Sequence, residues 1–233
     1  MLASVVGSKG ASIRSRAPLR ISFGGGGTDV SPYPETEGGA VLSTTIDQYA
    51  YCNLSLIDNK TIEVVSQDYN ILEIFNNISD LQYNGRLDLI KAGLKTLGLD
   101  ERGFRITLFA DAPPGSGLGS SSAITVALVG CLYQNNNRSL PSYEIAEIAY
   151  KIERFELGIK GGMQDQYASS FGGFNFIEFK KDSVIVNPLR LRNEITNELL
   201  ASTLLCDTGI RRLSGDIINK QIESFNKKDA DVI

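Results

Sequence analysis

Ten residues constrain this chain more than any others: the run PPGSGLGSSS at positions 113–122. Before it, Phe104, Ile106 and Leu108 recur at the two-residue period of a strand. After it comes an apolar run over residues 123–133, which suits a buried helix and falls well short of the roughly 20 residues that a membrane span needs. A strand must therefore hand over to a buried helix through a turn dominated by glycine and serine. Glycines let the main chain approach a bound group closely. The first amides of a helix point outward, unpaired and partly positive. The segment predicts an anion site fit for nucleotide phosphates. It would be built from Pro114, Gly115, Ser116, Gly117, Leu118, Gly119, Ser120 and Ser121, with serine hydroxyls on hand as magnesium ligands. A plain helix cap needs one Ser and one Gly, not this density. No Gly-Lys-Ser/Thr follows, so it is not a Walker loop. Ser120 stands where the dinucleotide fingerprint has its third glycine.

What chemistry could accompany such a site is narrowed by a missing residue: the chain has no histidine. That excludes Ser-His-Asp and Cys-His catalysis, histidine zinc sites and imidazole acid–base work. Carboxylates, hydroxyls, cationic side chains, backbone amides and a bound cation remain. Net charge is -4, from 23 basic and 27 acidic residues, with no basic block, so the balance speaks against a nucleic-acid partner. Cys52, Cys131 and Cys206 stand singly in apolar runs and read as buried thiols of a reducing compartment. The first twelve residues lack the basic start of a signal peptide. A cytoplasmic protein without membrane segments is expected.

Two further segments carry chemistry. Residues 13–23 alternate as a strand that delivers Arg20 and then runs into Gly24-Gly25-Gly26-Gly27-Thr28-Asp29. Four glycines in a row cost backbone entropy and make sense where a ligand lies against the main chain; alone, they read equally well as a flexible hairpin tip. The other segment pairs Glu153, near the end of an amphipathic helix over 141–157, with Asp165, in a loop behind Gly161-Gly162. Two such carboxylates can divide labour between a cation and a nucleophile. The helix stripe is Ile145, Ile148, Ile152 and Phe155. Strands are also expected over 40–57 and 61–66, joined as a hairpin through Asp58-Asn59-Lys60, and over 173–179 and 203–206; helices are expected over 87–97 and 213–225. Strands and helices mix without a regular alternation, which favours an α+β fold. The strand and helix after residue 203 cannot bury both faces alone, so a larger two-domain protein or a partner is expected to complete them.

Taken in order, the three segments resemble signature regions of the GHMP small-molecule kinases, the superfamily of galactokinase and of homoserine, mevalonate and phosphomevalonate kinases. Residues 113–121 are similar to its phosphate loop. Ala17-Pro18-Leu19-Arg20 with Asp29 keeps the opening spacing of galactokinases, and Glu153 stands 12 residues before Asp165 of Gly162-Met163-Gln164-Asp165-Gln166, as in theirs. Within the superfamily the chain most resembles D-glycero-D-manno-heptose 7-phosphate kinases, with L-fucokinases as the rival. The Glu-His pair of galactokinases is replaced by Gly26-Gly27, which removes sugar-contacting side chains and leaves room for a longer sugar.

The resemblance implies an α+β, GHMP-kinase-like two-domain fold, with the N-terminal ATP-binding domain over 1–190 and the opening of a C-terminal domain over 191–233. It implies ATP and Mg2+ as cofactors and a small sugar phosphate as substrate, and it leaves a homodimer open. Asp165 and Arg20 would be catalytic. Glu153 and Ser121, with Ser120 in reserve, would hold magnesium. Asp29, Gly26, Gly27 and Thr28 would line the sugar site, and Lys160, Arg211 and Arg212 are candidates for the sugar's phosphate. A GHMP-like sensor without turnover is the other reading, and an interaction module a third.

Overall fold

A computed structural model describes residues 12–98, 103–206, 209, 218 and 221–225 of the chain. Its strands are β1 (Ser12–Gly24), β2 (Gly39–Leu56), β3 (Ile62–Ser66), β4 (Ile71–Phe75), β5 (Phe104–Ala110), β6 (Phe174–Lys180) and β7 (Ser183–Pro188). Its helices are α1 (Tyr33–Thr36), α2 (Asp88–Leu97), α3 (Ser120–Asn135), α4 (Ser142–Lys151), α5 (Gln164–Phe171) and α6 (Asn193–Ser202), and a π-helical turn over Ile152–Glu156 continues α4.

The strands form one mixed sheet in the order β4-β3-β5-β2-β6-β7, with β1 also paired to β2. The 18-residue β2 is the hub. β1 runs antiparallel to it from Ser12↔Ser55 to Gly24↔Leu42. β5 pairs with its C-terminal half and β6 with its N-terminal half. Helix α3 packs against the β1–β2 pair. Its residues Ala123, Val126, Leu128, Val129 and Leu132 are wholly buried, as are Leu19 and Leu54 in the same core. A helix apolar on every face belongs inside a core, and that burial fixes where the start of α3 lies relative to the end of β1.

Four expectations change. The segment over 61–66 does not form a hairpin with β2: β3 pairs in parallel with β5 and antiparallel with β4. Ile62 and Val64 are buried, and both neighbours bury them better than a two-stranded ribbon would. Residues 203–206 are not a strand, and Leu204, Leu205 and Cys206 are exposed. Cys206 is thus not a buried thiol, whereas Cys52 and Cys131 are. Phe155 is exposed rather than part of the core stripe. The cause is the π turn, in which the Leu157 amide donates to Ile152 O, five residues back. One extra residue in the turn changes the rotation of the helix, so Glu153 turns inward and Phe155 outward. Of the helix expected over 213–225, residues 218 and 221–225 are helical and the rest lie outside the described residues.

Candidate active site

The end of β1, the phosphate-loop segment and the start of α5 meet at Arg20. Its main-chain amide donates to Leu118 O at 3.0 Å. Its Nη1 donates to Gly117 O at 2.7 Å. Its Nε and Nη2 both reach Asp165 Oδ1, at 2.8 and 2.7 Å. A planar guanidinium is suited to such a junction because its donors leave in fixed directions. Gly115, Gly117 and Gly119 all adopt positive φ, of 77°, 78° and 73°. Gly119 has a second constraint: a Cβ there would stand 3.3 Å from Arg20 Cγ and 3.5 Å from Asp165 Cγ. Leu118 turns the other way and packs on the core, which anchors the loop. Asp165 lies in the first turn of α5, not in a loop.

A cavity of about 780 Å³ opens beside this junction. Arg20, Asp165, Asp29, Glu153, Gly27 and the loop residues Pro114, Gly115, Ser120, Ser121 and Ser122 all line it. Ser116, Gly117, Leu118 and Gly119 complete the loop without lining the cavity. Gly26 and Thr28 instead border an adjoining cavity of about 110 Å³, which Gly27 also lines. Of the phosphate candidates, Lys160 lines the larger cavity; Arg211 and Arg212 lie outside the described residues.

Glu153 is buried to 1% exposure. Ser122 Oγ donates to its Oε2 at 3.0 Å, and Arg154 Nη1 sits 3.2 Å from the same oxygen. Gln166 Nε2 donates in turn to Ser122 Oγ at 3.0 Å. Oε1 is buried with no hydrogen-bond partner. Burial raises the Glu153 pKa, against the opposing pull of Arg154 and nearby hydroxyls. An orphaned carboxylate oxygen on a cavity wall beside serine hydroxyls fits a magnesium ion. Magnesium takes few protein ligands and shares the rest with phosphate and water. Ser121, expected as the second ligand, lines the cavity and is exposed, while Ser122 is the hydroxyl in contact with Glu153.

Asp29 is 1% exposed and its oxygens are engaged. Oδ2 accepts from the Gln164 amide at 2.9 Å, and Oδ1 accepts from Gln164 Nε2 at 3.1 Å and from the Gly27 amide at 3.2 Å. Burial raises its pKa, Gln164 opposes that, and the Asp165 charge adds to it. Asp29 thus ties the glycine turn to the residue preceding Asp165. Thr28 is also a fastener: its hydroxyl donates to Gly25 O at 2.7 Å and accepts from the Ala40 amide at 3.0 Å. The glycine turn is required sterically, since Gly25 has φ +83° and a Cβ there would collide with Ala40 O.

Three further participants gain their roles only from the fold. Arg154 donates through Nη2 to Gly162 O at 3.1 Å and through Nη1 to Ile159 O at 3.4 Å, bracing the turn before Asp165. Gln164 holds Asp29, and Ser122 holds Glu153. Ser122 lies within the glycine–serine run and Gln164 within the stretch around Asp165, so the motifs contain both without fixing what they hold, while Arg154 is hinted at only by adjoining Glu153. Gly161 and Gly162 are explained by the same contacts: a Cβ at the first would strike the Arg154 guanidinium, and at the second the Asp29 carboxylate.

The signature of the GHMP kinases N terminal domain matches residues 86–173. A D-glycero-alpha-D-manno-heptose 7-phosphate kinase from Campylobacter jejuni is 42% identical over 210 residues, covering 88% of this chain and 62% of that protein. The crystal structure of a D-glycero-D-manno-heptose 1-phosphate kinase from Bacteroides thetaiotaomicron superimposes with a TM-score of 0.75 at 42% identity, covering 80% of this chain and 62% of that one. A crystal structure of a putative sugar kinase from Campylobacter jejuni gives a TM-score of 0.75 at 38% identity, over 95% of this chain and 74% of that one. Matching fucokinases and galactokinases stand at 27 or 28% identity. The chain spans 62% of the length of the Campylobacter heptose 7-phosphate kinase. With a glycine- and serine-rich turn, a buried carboxylate and an Arg–Asp pair meeting on one wall, and with these similarities in sequence and fold, the chain belongs to the GHMP kinases.

Proposed function

We propose that the protein transfers the γ-phosphoryl group of ATP to O1 of D-glycero-D-manno-heptose 7-phosphate. The product would be the 1,7-bisphosphate, on the way to a nucleotide-activated heptose for surface glycans, made in the cytoplasm. In this reading residues 1–190 are the ATP-binding domain and 191–233 open the C-terminal one. The observation that carries it is the three-way junction of Arg20 with Asp165 and Gly117 O on the wall of a cavity that also holds Glu153. Phosphoryl transfer needs positioning and charge neutralisation more than covalent chemistry, which suits a histidine-free chain.

In the mechanism Asp165 accepts or orients the proton of the sugar's O1 hydroxyl. Arg20 restrains Asp165 and offsets charge that builds between acceptor and donor. The amides and hydroxyls of 114–121 receive the nucleotide phosphates at the start of α3. Glu153 Oε1 with Ser121 or Ser122 would hold Mg2+, which neutralises charge on the phosphates. Asp29 keeps Gln164 and hence Asp165 in place, with sugar hydroxyls meeting the Gly26–Gly27 backbone. The 42% identity to a heptose 7-phosphate kinase supports this acceptor over L-fucose.

The test is ADP release with the full natural protein over a sugar panel. Heptose 7-phosphate should exceed galactose and L-fucose in kcat/KM by about two orders of magnitude or more, because a site built for a phosphate rejects substrates that leave its polar groups unpaired. Equal or faster turnover of L-fucose would replace the proposed acceptor.

A further inference from the structure

Among the described residues, four cationic side chains line the large cavity: Arg20, Arg86, Arg154 and Lys160. Two are already committed. Arg20 is held by Asp165 and Gly117 O. Arg154 is held by Glu153 and by the carbonyls of Ile159 and Gly162. Arg86 is held only loosely, 3.8 Å from a Glu73 carboxylate that Lys91 already pairs with at 2.8 Å, and it lines the cavity from the segment before α2, with Gly85 and Leu87, rather than from the turn beside Asp29. Lys160 is exposed and has no ion pair with another described residue. Among the described residues nothing neutralises its charge.

Its position is set by its neighbours. Arg154 draws the carbonyls on either side of the 159–162 turn toward itself, and Gly158, with φ +64°, lets the chain enter that turn. Two residues after Lys160, Gly162 abuts the Asp29 carboxylate. Lys160 therefore stands on the cavity wall on the approach to Asp29 and Asp165, carried by a braced turn. The nucleotide phosphates have their own partners in the glycine-rich loop and the α3 N-terminus, so a second phosphate needs a second cation. A lysine serves well, because its ammonium is a point charge with three rotatable donors on a flexible stem.

We propose that Lys160 is the specificity-determining contact for the phosphate monoester of the acceptor sugar. The inference rests on the sugar-phosphate kinase reading above. It is tested by measuring kcat/KM for D-glycero-D-manno-heptose 7-phosphate and for the same heptose without phosphate, in the full natural protein. Lys160→Met lowers the ratio of the two at least about tenfold, the scale of one charge-assisted hydrogen bond. Lys160→Arg keeps the charge and most of the ratio. An unchanged ratio in Lys160→Met overturns the proposal. So does a rise in KM for ATP that accounts for the loss, which would assign Lys160 to the nucleotide. A wild-type protein with no preference for the phosphorylated sugar overturns the underlying reading, and the role of Lys160 with it.

Discussion

Three carboxylates on the cavity wall differ in what they have left to offer. Asp29 accepts three hydrogen bonds within the protein. Asp165 keeps Oδ2 clear of the Arg20 contacts, which both fall on Oδ1. Glu153 keeps Oε1. In the proposed mechanism the proton acceptor and the cation ligand each need a free oxygen, which Asp165 and Glu153 offer and Asp29 does not. Glu153→Gln should weaken use of MgATP and raise the magnesium concentration needed for half-maximal rate. Added magnesium should recover part of the rate, because a lost ligand is offset by metal concentration. A magnesium titration of initial rates checks this; an unchanged half-saturation point would remove Glu153 from the cation site. Arg20, Asp29, Glu153 and Asp165 are all legible in the sequence, because the segments around them have unusual composition and spacing. Their partners are not. Nothing local to Asp29 says that Gln164 closes on it from 135 positions away.

Among the elements, β1, β2, β3, β5, β6, α2, α3 and α4 are readable from period and length. β4 and β7 are short strands in which few residues are buried, and α5 is an eight-residue helix close behind a glycine pair, so propensity alone gives them little signal. The parallel pairing of β3 with β5 joins segments about 40 residues apart, which no local pattern encodes. The π turn is another such case, since a 3.6-residue period assigns Phe155 to the core and leaves Glu153 on an adjoining face. Helix α2 carries a wholly buried lysine, Lys91. Its Nζ is 2.8 Å from Glu73 Oε2, donates to Asn84 Oδ1 at 2.8 Å and to Gln82 O at 3.1 Å, and so fastens the segment leading into α2. That segment supplies Gly85, Arg86 and Leu87 to the cavity. Lys91→Met should cost about 3 kcal/mol, since removing one member of a buried pair strands the other. Denaturant unfolding measures it, and a midpoint equal to wild type would mean that Glu73 finds another partner or reaches water.

At the scale of the whole molecule, the site exists because β2 holds the sheet together and α3 is buried on it. That arrangement brings Arg20 to Gly117, 97 positions away, and to Asp165, 145 positions away. No helix among the described residues is long and apolar enough to cross a membrane. Helix α6 has no buried residue, and Leu200, Leu204 and Leu205 are largely exposed. In the proposed mechanism this convergence activates the acceptor at Asp165. That role is tested most directly by Asp165→Asn, which keeps size and most hydrogen bonds while removing the charge and the proton acceptor. In the full natural protein kcat should fall about 100-fold or more, as expected for a group that accepts a proton in the transition state, with ATP affinity by equilibrium binding nearly unchanged. Near-full activity in Asp165→Asn would make Asp165 a structural residue at the head of α5 and would contradict the account.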